Sequence, residues 1–245
     1  MDEGYRDSIR ARRELIVARM ADALGRAGRS LDEVQLVAVS KTVGVDEVRA
    51  AIAVGYRAFG ENRPQELVRK TAALAADPDL PAVRFDMIGN LQTNKVNAVL
   101  GRASLIHSIG SLHLAQAVSS RARRRIDAGE LDALADVLIE VNVSGEESKS
   151  GFAPAEARAA MGELMELSGI RVRGLMTMAP RGDQDIARRT FCGLRELRDE
   201  LERDHGVALP ELSCGMSEDF EVALEEGSTI VRLGRVVFDP SFALQ

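Results

Sequence analysis

The sequence predicts an α/β fold: a closed (β/α)8 TIM barrel, a single domain over residues 1–245, with an extra helix ahead of its first strand. Three observations lead there. Eight short apolar runs alternate with helical stretches between residues 36 and 234. The runs are rich in β-branched residues without polar alternation, as suits parallel strands covered on both faces. No Gly-rich phosphate turn of the form GxGxxG or GxxxxGKS/T follows any of them, which disfavours an open doubly wound sheet, the alternative.

The elements follow in order. Residues 6–28 read as the leading helix from the spacing of Ile9, Ile16, Met20 and Leu24 among arginines. LVAVS (36–40) is the first strand and stops at Lys41. Asp46 begins a helix that ends near Gly55, and YRAFG (56–60) is the second strand. Pro64 opens the next helix at a first-turn position, where its missing N–H costs nothing. RFDMIG (84–89) and SLIHSI (104–109) are strands three and four, and Ser111 caps the helix that follows. VLIEVNV (137–143) and RVRGLMTM (171–178) come next, and Asp183 caps a long helix before ELSCGM (211–216). Ser217 caps a short helix closed by Gly227, and TIVRLG (229–234) is the eighth strand. No linker rich in Pro, Gly or Ser divides the chain.

Composition excludes several classes. With 45% hydrophobic and 29% charged residues the chain has an ordinary globular balance. No apolar run approaches the ~20 residues of a membrane span. MDEGYRDSIRARREL lacks the apolar core of a signal peptide, and Cys192 and Cys214 offer neither a disulfide framework nor a metal-site spacing. A cytoplasmic location is expected. The net charge of −6 opposes nucleic-acid binding, and RARRR (121–125) reads as a solvated helix face. Among 32 basic residues only Lys41, Lys70, Lys95 and Lys149 are lysines. A lysine amine can lose its proton and attack a carbonyl, which arginine cannot do at ordinary pH.

In a closed barrel the C-terminal strand ends share one mouth, where chemistry is found. Polar residues end nearly every run: Lys41, Glu61 and Asn62, Gln92, His107 and Ser108, Asn142 and Ser144, Thr177, Ser217, and Arg232. They are expected to converge. Lys41 offers an imine-forming amine, while Ser217 and the Arg232–Gly234 end suit an anion. The combination suggests a phosphorylated aldehyde. Pyridoxal 5′-phosphate (PLP) fits, and so does a phosphosugar held by a Schiff-base aldolase.

A resemblance separates these. LVAVSKT (36–42), FGENRPQE (59–66), IGNLQTNK (88–95), LIHSIGSL (105–112), EVNVSGEESKSGF (140–152), RGLMTMAP (173–180), LSCGMSEDFEVALEEGST (212–229) and IVRLG (230–234) are similar to the motifs of the pyridoxal-phosphate homeostasis proteins. That family's barrel resembles the alanine racemase N-terminal domain. The resemblance implies that Lys41 holds PLP as an internal aldimine, with Asn62 beside the cofactor and Met216 lining the pocket. It assigns the phosphate to Ser217 and backbone N–H groups around Gly234 and Arg235. Arg232 would face the pyridine nitrogen and keep it unprotonated, making the ring a poor electron sink.

The implied function is buffering or delivery of PLP by a monomer, with apo PLP-dependent enzymes as candidate partners. The alternative is an enzyme with weak racemase or transaminase activity. Alanine racemase uses a second domain and a tyrosine from the partner subunit, for which this chain is expected to have no room. Its tyrosines are Tyr5, in the leading helix, and Tyr56, at the foot of the second strand. Arg63, Arg235 and FDP (238–240) depart from the family pattern near the phosphate end, and the Arg235 guanidinium is expected to turn toward the phosphate. His107 receives no role, Lys149 is either a loop residue or a second cofactor contact, and Cys214 is expected to be buried packing.

Overall fold

A computed structural model of the chain describes residues 3–146 and 149–242. Eight parallel strands close in chain order: β1 (Gln35–Val39), β2 (Ala58–Glu61), β3 (Arg84–Met87), β4 (Leu105–Ile109), β5 (Ala135–Glu140), β6 (Ile170–Met176), β7 (Glu211–Ser213) and β8 (Ile230–Leu233). Closure is made by β8 on β1, with Val37 opposite Arg232 and Ala38 opposite Leu233. The expected barrel is therefore present, and so is the extra helix, α1 (Glu3–Arg26). The remaining helices are α2 (Val45–Ala53), α3 (Pro64–Ala75), α4 (Val96–Val99), α5 (Leu112–Asp127), α6 (Pro154–Glu166), α7 (Gln184–His205), α8 (Phe220–Glu225) and α9 (Arg235–Phe238). None of the described helices is long and apolar enough to cross a membrane.

The helix punctuation is local chemistry. Pro64 occupies the first turn of α3. Ser111 accepts the Leu114 N–H at 3.2 Å and Asp183 accepts that of Ile186 at 2.9 Å. Two expected starts differ. α2 begins one residue before Asp46, with Gly44 at the cap position and its N–H held by Glu47 at 2.9 Å. Ser217 does not cap α8. The Asp219 carboxylate takes the Met216 N–H at 2.6 Å and tightens the turn, so that Asp219 itself holds the cap position. Several strands also stop short of the predicted apolar run. After Glu140, Met176 and Ser213 one more N–H each, of Val141, Thr177 and Cys214, bonds the neighbouring strand at 2.8, 3.1 and 3.1 Å, and the chain beyond forms the rim. Within EVNVSGEESKSGF, Glu147 and Ser148 lie outside the described residues.

Strand alternation sorts the core into two compartments. Ala38, Phe59, Phe85, Ile106, Ile139 and Val231 face the helices in one large cluster, where Phe59 and Phe85 stack with ring centroids 5.4 Å apart. Val37, Ala58, Leu105, Leu138, Met176 and Ile230 form a smaller cluster inside the barrel. The same alternation turns Asp86, His107, Ser213 and Arg232 inward, and all four are buried. The barrel therefore has a polar seam running beside its apolar filling.

Candidate functional site

Loops at the C-terminal strand ends enclose a cavity of about 270 Å3, and its wall brings together Lys41, Asn62, Met216, Ser217, Arg232, Gly234 and Arg235. β1 delivers Lys41 because the chain turns directly after the strand, with the Val43 N–H bonded to the Ser40 carbonyl at 3.1 Å. Lys41 is the lysine on this wall, and its amine has no hydrogen-bond or ion-pair partner among the described residues. The Lys70 amine, in contrast, is buried against Glu61 at 2.5 Å and the Ser40 carbonyl at 2.7 Å. Lys149 pairs with Glu146 and donates to the Met178 carbonyl at 3.1 Å, tying its loop to a residue of the cavity wall.

Two glycines shape the cavity by what they lack. A Cβ on Gly89 would lie 2.4 Å from the Asn62 carbonyl oxygen, so glycine lets the β3 loop seat the Asn62 backbone. Gly234 is different. Its φ of −112° suits any residue, and a Cβ there would meet Val39 at 3.4 Å, an ordinary contact. Neither conformation nor packing demands glycine at 234, and its bare backbone leaves the end of β8 open to close approach by a ligand. Opposite it, the Ser217 hydroxyl accepts the Val236 N–H at 3.4 Å and keeps its own hydrogen free to donate.

Arg235 lies on the cavity wall, but its guanidinium is engaged there by protein groups and not free as expected. Its guanidinium pairs with Glu218 and lies 4.8 Å from the Phe242 ring centroid, because a carboxylate and an aromatic face are both within reach. Arg232 is buried, donating to Ser213 Oγ and to the Thr177 carbonyl at 3.1 Å. Burial pulls its pKa below the usual arginine value, opposed by Cys214, Asp219 and Glu140. Burial pushes the Asp219 carboxyl up, opposed by the Met216 N–H and by Arg232. Cys214 is buried packing, with its thiol pushed up to about 12 by burial.

Several residues expected at the mouth serve elsewhere. Glu61 turns outward to Lys70, and His107 lies inside the barrel. Ser108 and Thr177 stitch neighbouring rim segments through the Gly89 and Val141 carbonyls, each at 2.7 Å. Tyr56 is buried beside Arg13, 5.7 Å from ring centroid to guanidinium. A larger cleft of about 790 Å3 shares Ser217, Glu218 and Asp219 with the cavity and runs outward to α1. Its outer charges neutralise one another, Arg19 with Glu221 at 2.5 Å and Arg26 with Glu225 at 2.7 Å, so the smaller cavity is the chemical site. Asp86, Ser213 and Asp219 were missed by the sequence reading. For the first two the signal was present: each is a polar residue between helix-facing apolar neighbours in a strand.

The alanine racemase N-terminal domain family matches residues 17–241. A pyridoxal phosphate homeostasis protein of Aquifex aeolicus is 44% identical over 225 residues, covering 91% of this chain and 94% of that one. The chain belongs to the pyridoxal phosphate homeostasis protein family. Two solved structures extend the comparison. An unknown protein from Bifidobacterium adolescentis has a TM-score of 0.88 and 38% identity, covering 97% of each chain. PipY of Synechococcus elongatus, with PLP bound, has a TM-score of 0.75 and 34% identity, covering 89% of this chain and 99% of that one. The whole cavity wall lies inside the segment matched to the racemase-type domain.

Proposed function

We propose that this chain binds PLP in the mouth cavity, attached at Lys41, and buffers or delivers the cofactor. The observation that carries this reading is the Lys41 amine, without a partner among the described residues and placed on one wall with Arg232 and the open end of β8. Bound PLP supplies an aldehyde that condenses reversibly with an amine. The residues present fit such a group. Lys41 supplies the amine, and Val39, Ile88 and Met216 give apolar wall for a ring. Ser217 and the bare backbone at Gly234 offer donors for a phosphate. Arg235 holds the Glu218 carboxylate in an ion pair and so reduces its repulsion of that anion. A guanidinium only donates, so Arg232, if it faces the ring nitrogen, would leave that nitrogen an unprotonated acceptor. Asn62, on the same wall, would lie beside the ring.

Holding rather than turnover is supported by the family's name and by the commitments of the wall carboxylates, Glu218 to Arg235 and Asp219 to the Met216 N–H. The described strands close on themselves, which removes edge-to-edge strand pairing as a route to association. The proposed carrier is a monomer that meets apo-enzymes in the cytoplasm. Borohydride reduction followed by peptide mapping tests the reading. A phosphopyridoxyl label on Lys41, lost in Lys41→Ala with the fold retained, is expected. A label confined to Lys95 or Lys149 overturns the assignment, and turnover of about 10 s⁻¹ with a free amino acid overturns the carrier reading.

A further inference from the structure

We propose that Asp86, His107 and Ser213 form a one-way hydrogen-bond chain inside the barrel that fixes the Arg232 guanidinium at the cavity wall. They are positioning residues for the contact between Arg232 and the bound ring. The identity of that ring rests on the function proposed above, whereas the chain is a property of the protein alone.

The geometry is continuous across four strands. His107 Nε2 lies 3.2 Å from Asp86 Oδ2, and His107 Nδ1 lies 2.9 Å from Ser213 Oγ. Arg232 Nη1 bonds to that same hydroxyl, while Nη2 reaches the Thr177 carbonyl at 3.1 Å. Asp86 is anchored in turn by Arg84, at 2.8 and 2.9 Å through Nη2. Direction follows from donor chemistry. Arg232 can only donate, so Ser213 Oγ accepts from it and has one hydrogen left. That hydrogen goes to His107 Nδ1, which leaves Nε2–H to donate to the Asp86 carboxylate. Each donor has one acceptor, and the neutral Nε2–H form of His107 completes the set.

The charged groups around the seam agree. His107 faces Asp86, Arg84 and Arg232, and Arg232 also faces Asp219 and Glu140. With Ser213 at one Nη and the Thr177 carbonyl at the other, the guanidinium plane is set. Its remaining N–H groups have no partner among the described residues and are available to the cavity, whose wall Arg232 shares with Lys41. Without His107 the Ser213 hydrogen has no acceptor and the hydroxyl is free to rotate, so the lone pair that Arg232 Nη1 meets is no longer held in one orientation and that fixing of Arg232 loosens.

The test uses two readouts on the full chain. The first needs no cofactor: 15N NMR of the imidazoles, of which the chain has three, and of the arginine side chains. The expected result is a neutral Nε2–H His107 and slowly exchanging Arg232 N–H signals. Those signals should be lost in His107→Phe and in Ser213→Ala, and kept in Ser213→Thr, which retains the hydroxyl. Ser213→Ala removes a single atom and guards against failure of the histidine variant to fold. A charged or Nδ1–H His107, or Arg232 signals unchanged in both variants, overturns the proposal. The second readout is the visible absorbance of the protein with added PLP. Ser213→Ala should shift the band, and should shift it no further in an Arg232→Gln background; an equal shift in both backgrounds overturns the proposal. If PLP gives no band with the unsubstituted protein, the PLP reading fails, and the NMR result alone supports or overturns the chain.

Discussion

Lys70 and Glu61 place two opposite charges, both almost wholly buried, directly behind Lys41 and Asn62. Lys70 Nζ bonds Glu61 Oε1 and the Ser40 carbonyl, and the Ser40 hydroxyl adds a 2.6 Å bond to Glu61. The pair therefore fastens the ends of β1 and β2 at the roots of two proposed cofactor contacts. Removing one charge from such a pair leaves the other buried and uncompensated, at a cost of ~3–5 kcal/mol, whereas replacing both with apolar groups is often near neutral. Lys70→Met should lower unfolding stability by about that amount, and Lys70→Met with Glu61→Leu should recover most of it in urea titrations. Equal losses in the single and double variants would show that the two charges are not coupled. Glu61 was expected at the mouth because it follows an apolar run. The better clue was Lys70, which shares the helix-buried stripe of Leu67 and Leu74 at i, i+3, i+7 spacing. A lysine on that stripe needs a buried partner.

At the scale of elements, α1 is more than a cover for the barrel. Its Arg12 donates to the carbonyls of Val236 at 3.1 Å, Phe242 at 3.0 Å and Pro240 at 2.7 Å, and Tyr5 reaches that of Phe238 at 3.4 Å. These bonds hold the segment that starts at Gly234, the proposed phosphate end. Charge-assisted hydrogen bonds contribute ~1.5–3 kcal/mol each where well formed, less where exposed as one of these is. Arg12→Met keeps the apolar stem and removes the donors. It should raise amide exchange across residues 235–242 selectively and weaken PLP binding, with little change in the barrel strands. Exchange that rises evenly over the whole chain would count against a local clamp. The helix itself was legible from Ile9, Ile16, Met20 and Leu24, all of which are buried. Its grip was not, because backbone carbonyls more than two hundred residues away leave no residue pattern to read. The start of α8 was misplaced for a related reason: Ser217 and Asp219 are both good caps, and only the Met216 turn decides between them.

Over the whole molecule, barrel closure was legible because eight buried strands alternating with helices have few other solutions. The polar seam was legible only in part: Asp86 and Ser213 interrupt apolar runs, but a parallel strand covered on both faces does not reveal which face points inward. That seam makes the interior respond to pH in two opposed ways. Burial lowers the His107 pKa below its ordinary 6.5, more than the Asp86 hydrogen bond and charge raise it. Such a group contributes stability that is fully present above the unfolded value and is lost as pH falls through the folded one. Burial raises Asp219 above its ordinary 3.8, so its contribution is present below that value and is lost as pH rises through the folded one. Melting the cofactor-free protein from pH 4 to pH 8 separates the two. The advantage of the unsubstituted chain over His107→Gln should shrink as the solution is acidified below about 6.5. Its advantage over Asp219→Asn should shrink in the other direction, as the pH rises from 4, since asparagine accepts the Met216 N–H without carrying a buried charge. Slopes of the same sign for both variants would mean that folding shifts at least one of these two groups in the direction opposite to the one its burial imposes, and a flat profile would mean that folding does not shift that group at all.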